Sequence, residues 1–488
     1  MRAPSEIHFR LIMKFLGILW MILAGFMGLS IAWSAFYGEN ATIRALLYSM
    51  GITFLAGGLM FLINRHHDHR NIGKKEGYLV VSLSWISISV FGALPFYLSG
   101  AIPAYTDAFF ETMSGFTTTG ATILDDIEAM PKGLLFWRSM THWLGGMGII
   151  VLTLAILPIL GVGGMQLFVA EAPGTTPSRL HPRIKETAKR LWGIYIAFTM
   201  FQTLLLMGGG MDLFDGLCHS FSTMATGGFS TRNGSMAAFS PYIQYVTILF
   251  MVIAGTSFSL HYFLLKGQFD RVLKNEELRF YLSIIGFFTI VITASVIIFH
   301  QYGFERGFRD GLFQVVSIVT TTGFVTADYL EWKGYIWFLI FLLMFTGGCI
   351  GSTGGGVKMI RLLVLAKNTR LELRRLLHPM AIIPVRVNGK TIPPDIIHNF
   401  LAFFLLYVLL FLSGSAIMTM VGMDFPSAIG ASIATIGNIG PAIGSVGPTE
   451  TYAAIPAAGK WVLSLFMLMG RLEIFTVLLL LSPSFWKR

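Results

Sequence analysis

The chain reads as an all-α polytopic membrane protein built from four pseudo-repeats of helix, re-entrant loop and helix, preceded by two N-terminal transmembrane helices. Three observations lead there. The 488 residues are 54% hydrophobic and only 12% charged, with a mean hydropathy of +0.69, a balance found in polytopic membrane proteins rather than soluble domains. The apolar residues fall into segments near the ~20 residues needed to cross ~30 Å of hydrocarbon. Finally, one pattern occurs four times, at 107–120, 215–227, 310–323 and 424–437. Each copy opens on an aspartate, runs through mostly apolar or small residues, and ends on a glycine beside hydroxyl-bearing or small residues. An internal repeat of this kind fixes architecture before any finer reading.

Spanning segments are expected at 11–36, 43–63, 78–99, 134–160, 191–208, 242–265, 280–300, 334–366, 395–421 and 457–481. The first is too long for the apolar core of a signal peptide and no small-residue cleavage site follows it, so it reads as a retained helix. The first two precede the repeats, and the other eight pair around the four loops. The expected units are therefore 1–70 (two helices), 71–180, 181–275, 276–378 and 379–488 (one repeat each). Cys218 and Cys349 lie far apart in apolar segments and imply neither a disulfide framework nor a metal site.

A net charge of +10 invites a nucleic-acid reading, but topology accounts for it. Lys and Arg crowd the loops of one side: Arg65, Arg70, Lys74 and Lys75; Arg179 to Arg190; Lys266 to Arg279; and Lys358 to Lys390. By the positive-inside rule that side is cytoplasmic, and both termini fall there. The opposite face is richer in acid than base, which concentrates cations at an entrance. Membrane lipid is an expected partner and nucleic acid is not.

Each repeated hairpin is the informative part. A helix of about 12 residues rises ~18 Å, so it enters the bilayer only halfway before turning back. Asp107, Asp215, Asp310 and Asp424 are expected to cap these helices at their outer ends, where a carboxylate satisfies free N–H groups and opposes the dipole. The partially negative ends then point at the bilayer centre and favour a cation. Irregular backbone at that depth must line a water-filled path or be buried in protein.

Dehydrating a cation requires oxygens that replace its hydration shell, as rings of backbone carbonyls do in potassium-selective pores. Aiming successive carbonyls inward needs positive φ at some positions, which glycine accepts. The expected walls are Thr118-Thr119-Gly120, Ala225-Thr226-Gly227, Thr321-Thr322-Gly323 and Thr435-Ile436-Gly437 with Asn438 beside it. Around a four-fold pseudo-axis they form a cation filter at the centre of an ion pore. Ala225, Ile436 and Asn438 depart from the threonine pattern, and the second hairpin reads one residue shorter.

Several segments resemble the TrkH/TrkG/KtrB superfamily of bacterial potassium uptake proteins: H-W-L-G-G-M-G-I-I at 142–150, T-G-G-F-S-T at 226–231, T-T-T-G-F at 320–324, G-N-I-G-P at 437–441, G-R-L-E-I-F-T at 470–476 and the Gly-rich run at 347–361. The two extra leading spans look like TrkH rather than KtrB. The resemblance covers nearly the whole chain. It implies a gated, K⁺-selective uptake pore in the bacterial cytoplasmic (inner) membrane, acting as a homodimer with a cytosolic nucleotide-binding ring of the TrkA type. No catalytic activity and no cofactor in this chain are implied.

Two features read as gate elements. Gly347, Gly348, Gly351, Ser352, Thr353, Gly354, Gly355 and Gly356 interrupt the second span of repeat three, and glycine at that density breaks a helix and frees the backbone. A phosphate-binding loop fails here because Val357 separates the last glycine from Lys358 and Met359 stands where Ser or Thr is needed. The resemblance makes the segment an intramembrane gate loop. Arg471 lies mid-span, where a charge costs at least ~2.5–3.5 kcal/mol on insertion scales and usually marks function; it reads as an electrostatic barrier. Glu473 is two residues away and does not face it on a helix, so a partner elsewhere, such as the Gly-rich loop, is expected. His142, His219 and His261 read as structural. Arg370 to Arg375 suit docking of a regulatory subunit or contact with anionic lipid.

Two other classes compete. A proton- or sodium-coupled secondary transporter would place carboxylates deep in several spans, and Glu473 alone reads so; a Na⁺-permeable member of the same fold is a nearer variant. An intramembrane enzyme would need a nucleophile and base or a metal-ligand cluster within the spans, and the sequence offers neither.

Overall fold

The computed structural model describes residues 7–65, 74–148, 184–381 and 383–486. The far half of the expected 134–160 span, the first five residues of the basic stretch beginning at Arg179, and the extreme ends of the chain lie outside the described residues. The two leading helices, Phe9–Phe36 and Asn40–Asn64, form an antiparallel pair. They touch where Gly17 and Gly57 face one another: a Cβ on Gly17 would sit 2.7 Å from the Gly57 carbonyl oxygen. Small residues permit this close backbone approach, which drives helix association in lipid where apolar burial gives no advantage.

The first helix of each repeat spans Lys74–Gly92, Ile184–Gly208, Glu276–His300 and Pro394–Met420, each a continuous helix. The pore helices are Tyr105–Phe116, Leu213–Met224, Phe304–Val319 and Phe425–Ile436. Three of them have 12 residues and the third has 16. At 1.5 Å per residue, about 18 Å for three of them and about 24 Å for the third, all four are too short to cross ~30 Å of hydrocarbon.

Helices that return after the pore loops are broken in all four repeats, an interruption the sequence predicts only in repeat three. In repeat one the helix Lys132–Trp143 passes into a π turn at Leu144–Gly148. In repeat two, Pro241–Ala254 and Phe258–Leu265 meet at 99°. In repeat three, Gly334–Leu343 and Met359–Leu377 are separated by the Gly-rich segment, and in repeat four Ala457–Arg471 and Phe475–Leu481 are separated at Leu472–Ile474. Broken backbone inside a membrane must find partners within the protein, and it does. The Gly255 carbonyl accepts from Cys349 N at 2.8 Å, while those of Gly145 and Gly146 accept from Arg471. Among the described residues, six helices are individually long and apolar enough to cross a bilayer, and the bent pair adds a seventh.

A two-stranded hairpin on the basic face, Arg386–Val387 with Lys390–Thr391, was not expected from an all-helical reading; Arg386 lies opposite Thr391. Asn388 and Gly389 both have positive φ, the geometry that a two-residue hairpin turn demands.

The aspartates cap less uniformly than the repeat suggests. Asp424 does cap its helix, accepting from Ser427 N, and Asp212, not Asp215, caps the second by accepting from Asp215 N at 2.7 Å. Asp107 and Asp215 lie two residues inside their helices and Asp310 six. They hold neighbouring chain instead: Asp107 accepts from Lys460 at 2.7 Å, and Asp215 from Thr231 at 2.7 Å and Arg232 at 2.8 Å.

Candidate functional site

The four loops that follow the pore helices meet. Each leaves its helix through one residue (Thr117, Ala225, Thr320, Gly437) and places the next in the left-handed region: Thr118 at φ 53°, Thr226 at 54°, Thr321 at 58° and Asn438 at 53°. Two residues on, each has a positive-φ glycine: Gly120, Gly228, Gly323 and Gly440, with φ of 78–90°. Non-glycine residues enter that region at a cost and concentrate at functional sites. Four equivalent occurrences show one backbone path used four times.

These glycines also report how the loops pack. A Cβ on Gly120 would strike the Gly227 carbonyl oxygen, one on Gly228 that of Thr322, and one on Gly323 that of Ile439. On Gly440 it would lie 2.7 Å from the carbonyl oxygen of Thr119. The sequence of contacts runs one to two, two to three, three to four and four back to one, so the loops close a ring. The carbonyls of Thr119, Gly227, Thr322 and Ile439 occupy equivalent positions in it.

This register corrects two of the expected walls. Gly228, not Gly227, is equivalent to Gly120, so the second hairpin is no shorter than the first. In the fourth, Gly440 takes that place and Gly437 stands three residues earlier. Thr435 and Ile436 remain in the last turn of the pore helix, where Thr435 Oγ1 donates to the Ala431 carbonyl at 2.7 Å. Thr118, Thr119, Gly120, Ala225, Thr226, Gly227, Thr321, Thr322, Gly323, Gly437 and Asn438 all belong to the ring.

Behind the ring the walls differ chemically. In walls one and three, paired hydroxyls brace the turn: Thr117 and Thr119 at 2.8 Å, Thr320 and Thr322 at 2.7 Å. The first of each pair also donates to a pore-helix carbonyl, Met113 at 2.6 Å and Val316 at 2.7 Å. In wall four, Asn438 Nδ2 donates to Thr119 Oγ1 at 3.0 Å and to the Met467 carbonyl at 2.9 Å. Wall two has only Ala225 and Gly227 at the two braced positions. The space beside Gly227 is filled by the buried His142 ring, which stacks on Phe229 at 3.9 Å.

Immediately next to the ring runs the Gly-rich segment. Gly355 N donates to Thr321 Oγ1 at 2.8 Å, and Thr353 Oγ1 donates to the Met224 carbonyl at 2.9 Å. A Cβ on Gly354 would be 3.0 Å from the Thr320 carbonyl oxygen, and one on Gly355 would be 2.9 Å from that of Gly437. Thr353, Gly354 and Gly355 thus lie against walls two, three and four, and a side chain at 354 or 355 would press on them. Gly347, Gly348, Gly351 and Ser352 form the flanks: a Cβ on Gly348 would be 2.8 Å from the Gly255 carbonyl oxygen and 2.7 Å from Ser352 Oγ, while the Gly351 carbonyl accepts from Phe258 N at 3.0 Å. Gly356, at φ +63°, packs against the Thr346–Gly347 backbone at the loop's other end.

Arg471 closes the remaining side. Its Nη1 donates to Thr118 Oγ1 at 3.1 Å and to the Thr353 carbonyl at 2.7 Å, and its Nη2 to the carbonyls of Gly145 at 2.6 Å and Gly146 at 2.8 Å. One guanidinium therefore joins wall one, the Gly-rich loop and the π turn of repeat one. Its five donors in a fixed fork suit that task as a lysine would not. Glu473 pairs with Arg361, at the start of the helix after the loop. Glu473 and Ile474 both have positive φ, so the helix break beside Arg471 is a strained turn.

Two further buried carboxylates escaped the sequence reading. Glu277 Oε1 accepts from Ile350 N at 2.7 Å and Ile360 N at 3.1 Å, tying both flanks of the Gly-rich loop to the first helix of repeat three. Glu111, in the first pore helix, pairs with the buried Arg138 at 2.6 Å. The signal for Glu111 was its distance of nine residues from the ring glycine, where repeats two and three also carry polar side chains, His219 and Gln314.

Comparison with known proteins agrees with this geometry. The profile of the TrkH family, described as a cation transport protein, matches residues 46–488. The Trk system potassium uptake protein TrkH of Halomonas elongata is 41% identical over 483 residues, covering 98% of this chain and 99% of that protein. The protein of the same name from Escherichia coli K12 is 39% identical over 487 residues, covering 98% and 100%. The crystal structure of the potassium transporter TrkH from Vibrio parahaemolyticus superposes with a TM-score of 0.88 at 37% identity, covering 98% of this chain and 100% of that one.

Proposed function

From the premise that the chain belongs to the TrkH family of cation transport proteins, we propose that it takes up potassium through a gated, K⁺-selective pore in the cytoplasmic (inner) membrane of a bacterium, as the membrane subunit of a Trk-type system. The observation that carries this is the closed ring of Gly120, Gly228, Gly323 and Gly440, each against the carbonyl preceding the next wall's glycine. Backbone oxygens held in a ring by mutual packing are what a dehydrated monovalent cation requires.

In this reading the ring is the filter, and the Gly-rich loop with Arg471 is the gate. The loop occupies the ion's exit and the guanidinium adds an electrostatic barrier there. The units 1–70, 71–180, 181–275, 276–378 and 379–488, with both termini cytoplasmic, belong to the same reading. So does assembly as a homodimer with a TrkA-type nucleotide-binding ring, for which the basic helix end at Arg370–Arg375 is the docking candidate. Coupled transport has less support. Among the described residues, the buried carboxylates Glu111, Asp215, Asp310 and Glu473 are each paired with an arginine, Glu76 with His8, and Glu277 is occupied by two backbone N–H groups.

Ion flux through the purified protein in liposomes is the test, comparing K⁺, Rb⁺, Na⁺ and Li⁺. K⁺ and Rb⁺ are expected to pass and Na⁺ and Li⁺ to be largely refused; equal passage of all four overturns the filter reading. A second expectation concerns the loop's anchor. Glu277→Ala leaves two buried N–H groups without their acceptor, each costing about 1–3 kcal/mol, and should raise resting K⁺ flux several-fold while ion preference stays as in the parent protein.

A further inference from the structure

The ring has an outer brace that nothing in its gate or carbonyl geometry explains. Arg138, on the returning helix of repeat one, is buried among the pore elements. Its Nε donates to Glu111 Oε1 at 2.6 Å, and its Nη1 donates to the Ser230 carbonyl at 3.0 Å. Its guanidinium carbon lies 3.5 Å from the centre of the Phe229 ring. Phe229 and Ser230 directly follow the ring glycine of wall two. Glu111 in turn holds the chain that follows wall one: Oε1 accepts from Thr122 Oγ1 at 2.9 Å and Oε2 from Ile123 N at 2.9 Å.

The same position, nine residues before the ring glycine, serves each of the first three walls. His219 Nε2 meets Ser230 Oγ at 3.0 Å, and Gln314 Nε2 donates to the Ala327 carbonyl at 3.2 Å. Each polar side chain thereby fastens its own wall to its own pore helix. Repeat four has Ala431 there, and Gly430 instead packs close enough that a Cβ on it would be 2.5 Å from the Ile443 carbonyl oxygen. Only in repeat one is the strut ionised and joined to a cation that reaches the neighbouring wall. Wall two also lacks the paired hydroxyls that brace walls one and three.

We infer that Arg138, acting through Glu111 and the Ser230 carbonyl, is a specificity-determining positioning residue: it fixes the spacing of walls one and two at the outer end of the ring, and so contributes to the choice of K⁺ over Na⁺. It touches no ion. A buried ion pair adds little net stability against an apolar substitute, yet its geometry is specific, and a filter that ranks ions by oxygen geometry depends on such spacing. The inference rests on the reading of the ring as a potassium filter.

The test uses the full-length protein in liposomes and measures the K⁺-to-Na⁺ flux ratio and the thermal midpoint. Glu111→Gln keeps the shape and the acceptor for Thr122 or Ile123 but loses the charge that fixes Arg138. Arg138→Lys keeps the charge but cannot reach both Glu111 and Ser230. Each is expected to lower the ratio about tenfold while K⁺ flux stays within about threefold of the parent, the size of a typical coupling between contacting residues. Leu23→Ala, a cavity in the first helix and outside the four repeats, supplies the stability control: it should lower the midpoint and leave the ratio alone. Parent-like ratios in both folded variants overturn the brace while leaving the filter standing, and so does a ratio lost equally in Leu23→Ala. Glu111→Gln, the milder change, decides the matter should Arg138→Lys not fold. A parent protein that passes K⁺ and Na⁺ alike overturns the filter and the brace together.

Discussion

Gly323→Ser is expected to abolish most discrimination between K⁺ and Na⁺. Gly323 sits at φ +78°, and a Cβ there would strike the Ile439 carbonyl oxygen and come within 2.9 Å of Pro441 Cδ. Holding an L-residue in this backbone region costs roughly 1–2 kcal/mol, before any collision. The collision is with ring backbone, which can yield only by moving the oxygen that the ion is meant to meet. Because selectivity depends on the number and placement of such oxygens, a fall in the K⁺-to-Na⁺ flux ratio of about ten- to a hundredfold follows. Gly228→Ser should do the same by displacing the Thr322 carbonyl. Gly286→Ala is the control, since Gly286 lies on the first helix of repeat three with nothing within 4 Å of an added Cβ; its ratio should match the parent's. Serine at 323 with unchanged discrimination would mean that the ring does not select the ion.

Arg471→Ala is expected to produce the opposite phenotype, a leak without loss of ion preference. The guanidinium donates to four oxygens on three separate elements. Hydrogen bonds from a charged donor contribute about 1.5–3 kcal/mol each. Losing the equivalent of two of them shifts the balance between closed and open loop by roughly 3 kcal/mol, a resting flux higher by about a hundredfold if the closed state is well populated. The loss of a positive charge from the ion's path acts in the same direction. Arg471→Lys restores the charge but not the fork, so its flux should fall between the two. Liposome flux in the absence of any partner checks this. Unchanged resting flux together with collapsed selectivity would assign Arg471 to the filter rather than to the gate.

Much of this architecture was legible in the sequence because its signals are physical necessities. Apolar runs of span length are what a helix in lipid requires, and four half-length hairpins, the glycine-dense interruption at 347–356 and an arginine inside an apolar run each depart from it. What stayed hidden was register. Gly227 and Gly228 are adjacent, so either could match Gly120, and only the positive φ of Gly228 decides between them. In repeat four, Asp424 is an N-cap, whereas Asp107 and Asp215 lie within the helix, so counting from the aspartate misplaced the ring glycine by three. The break at Leu472–Ile474 has no glycine or proline to announce it. It is held by tertiary contacts, the pairing of Glu473 with Arg361 and the anchoring of Arg471 to Thr118 of wall one, that no local pattern encodes. Glu111 and Arg138 were obscure for a related reason. A charged residue in a short hairpin, or near the end of a span, reads as solvated until the fold shows it buried behind a wall.

A heavy monovalent cation that scatters anomalously, Rb⁺ or Tl⁺, locates the ion directly. Crystals grown with either ion should show anomalous density on the axis ringed by the carbonyls of Thr119, Gly227, Thr322 and Ile439, and exchange for Na⁺ should remove it. Density elsewhere in the protein, with that ring empty at saturating Rb⁺ or Tl⁺, would contradict the assignment of these four loops as one filter.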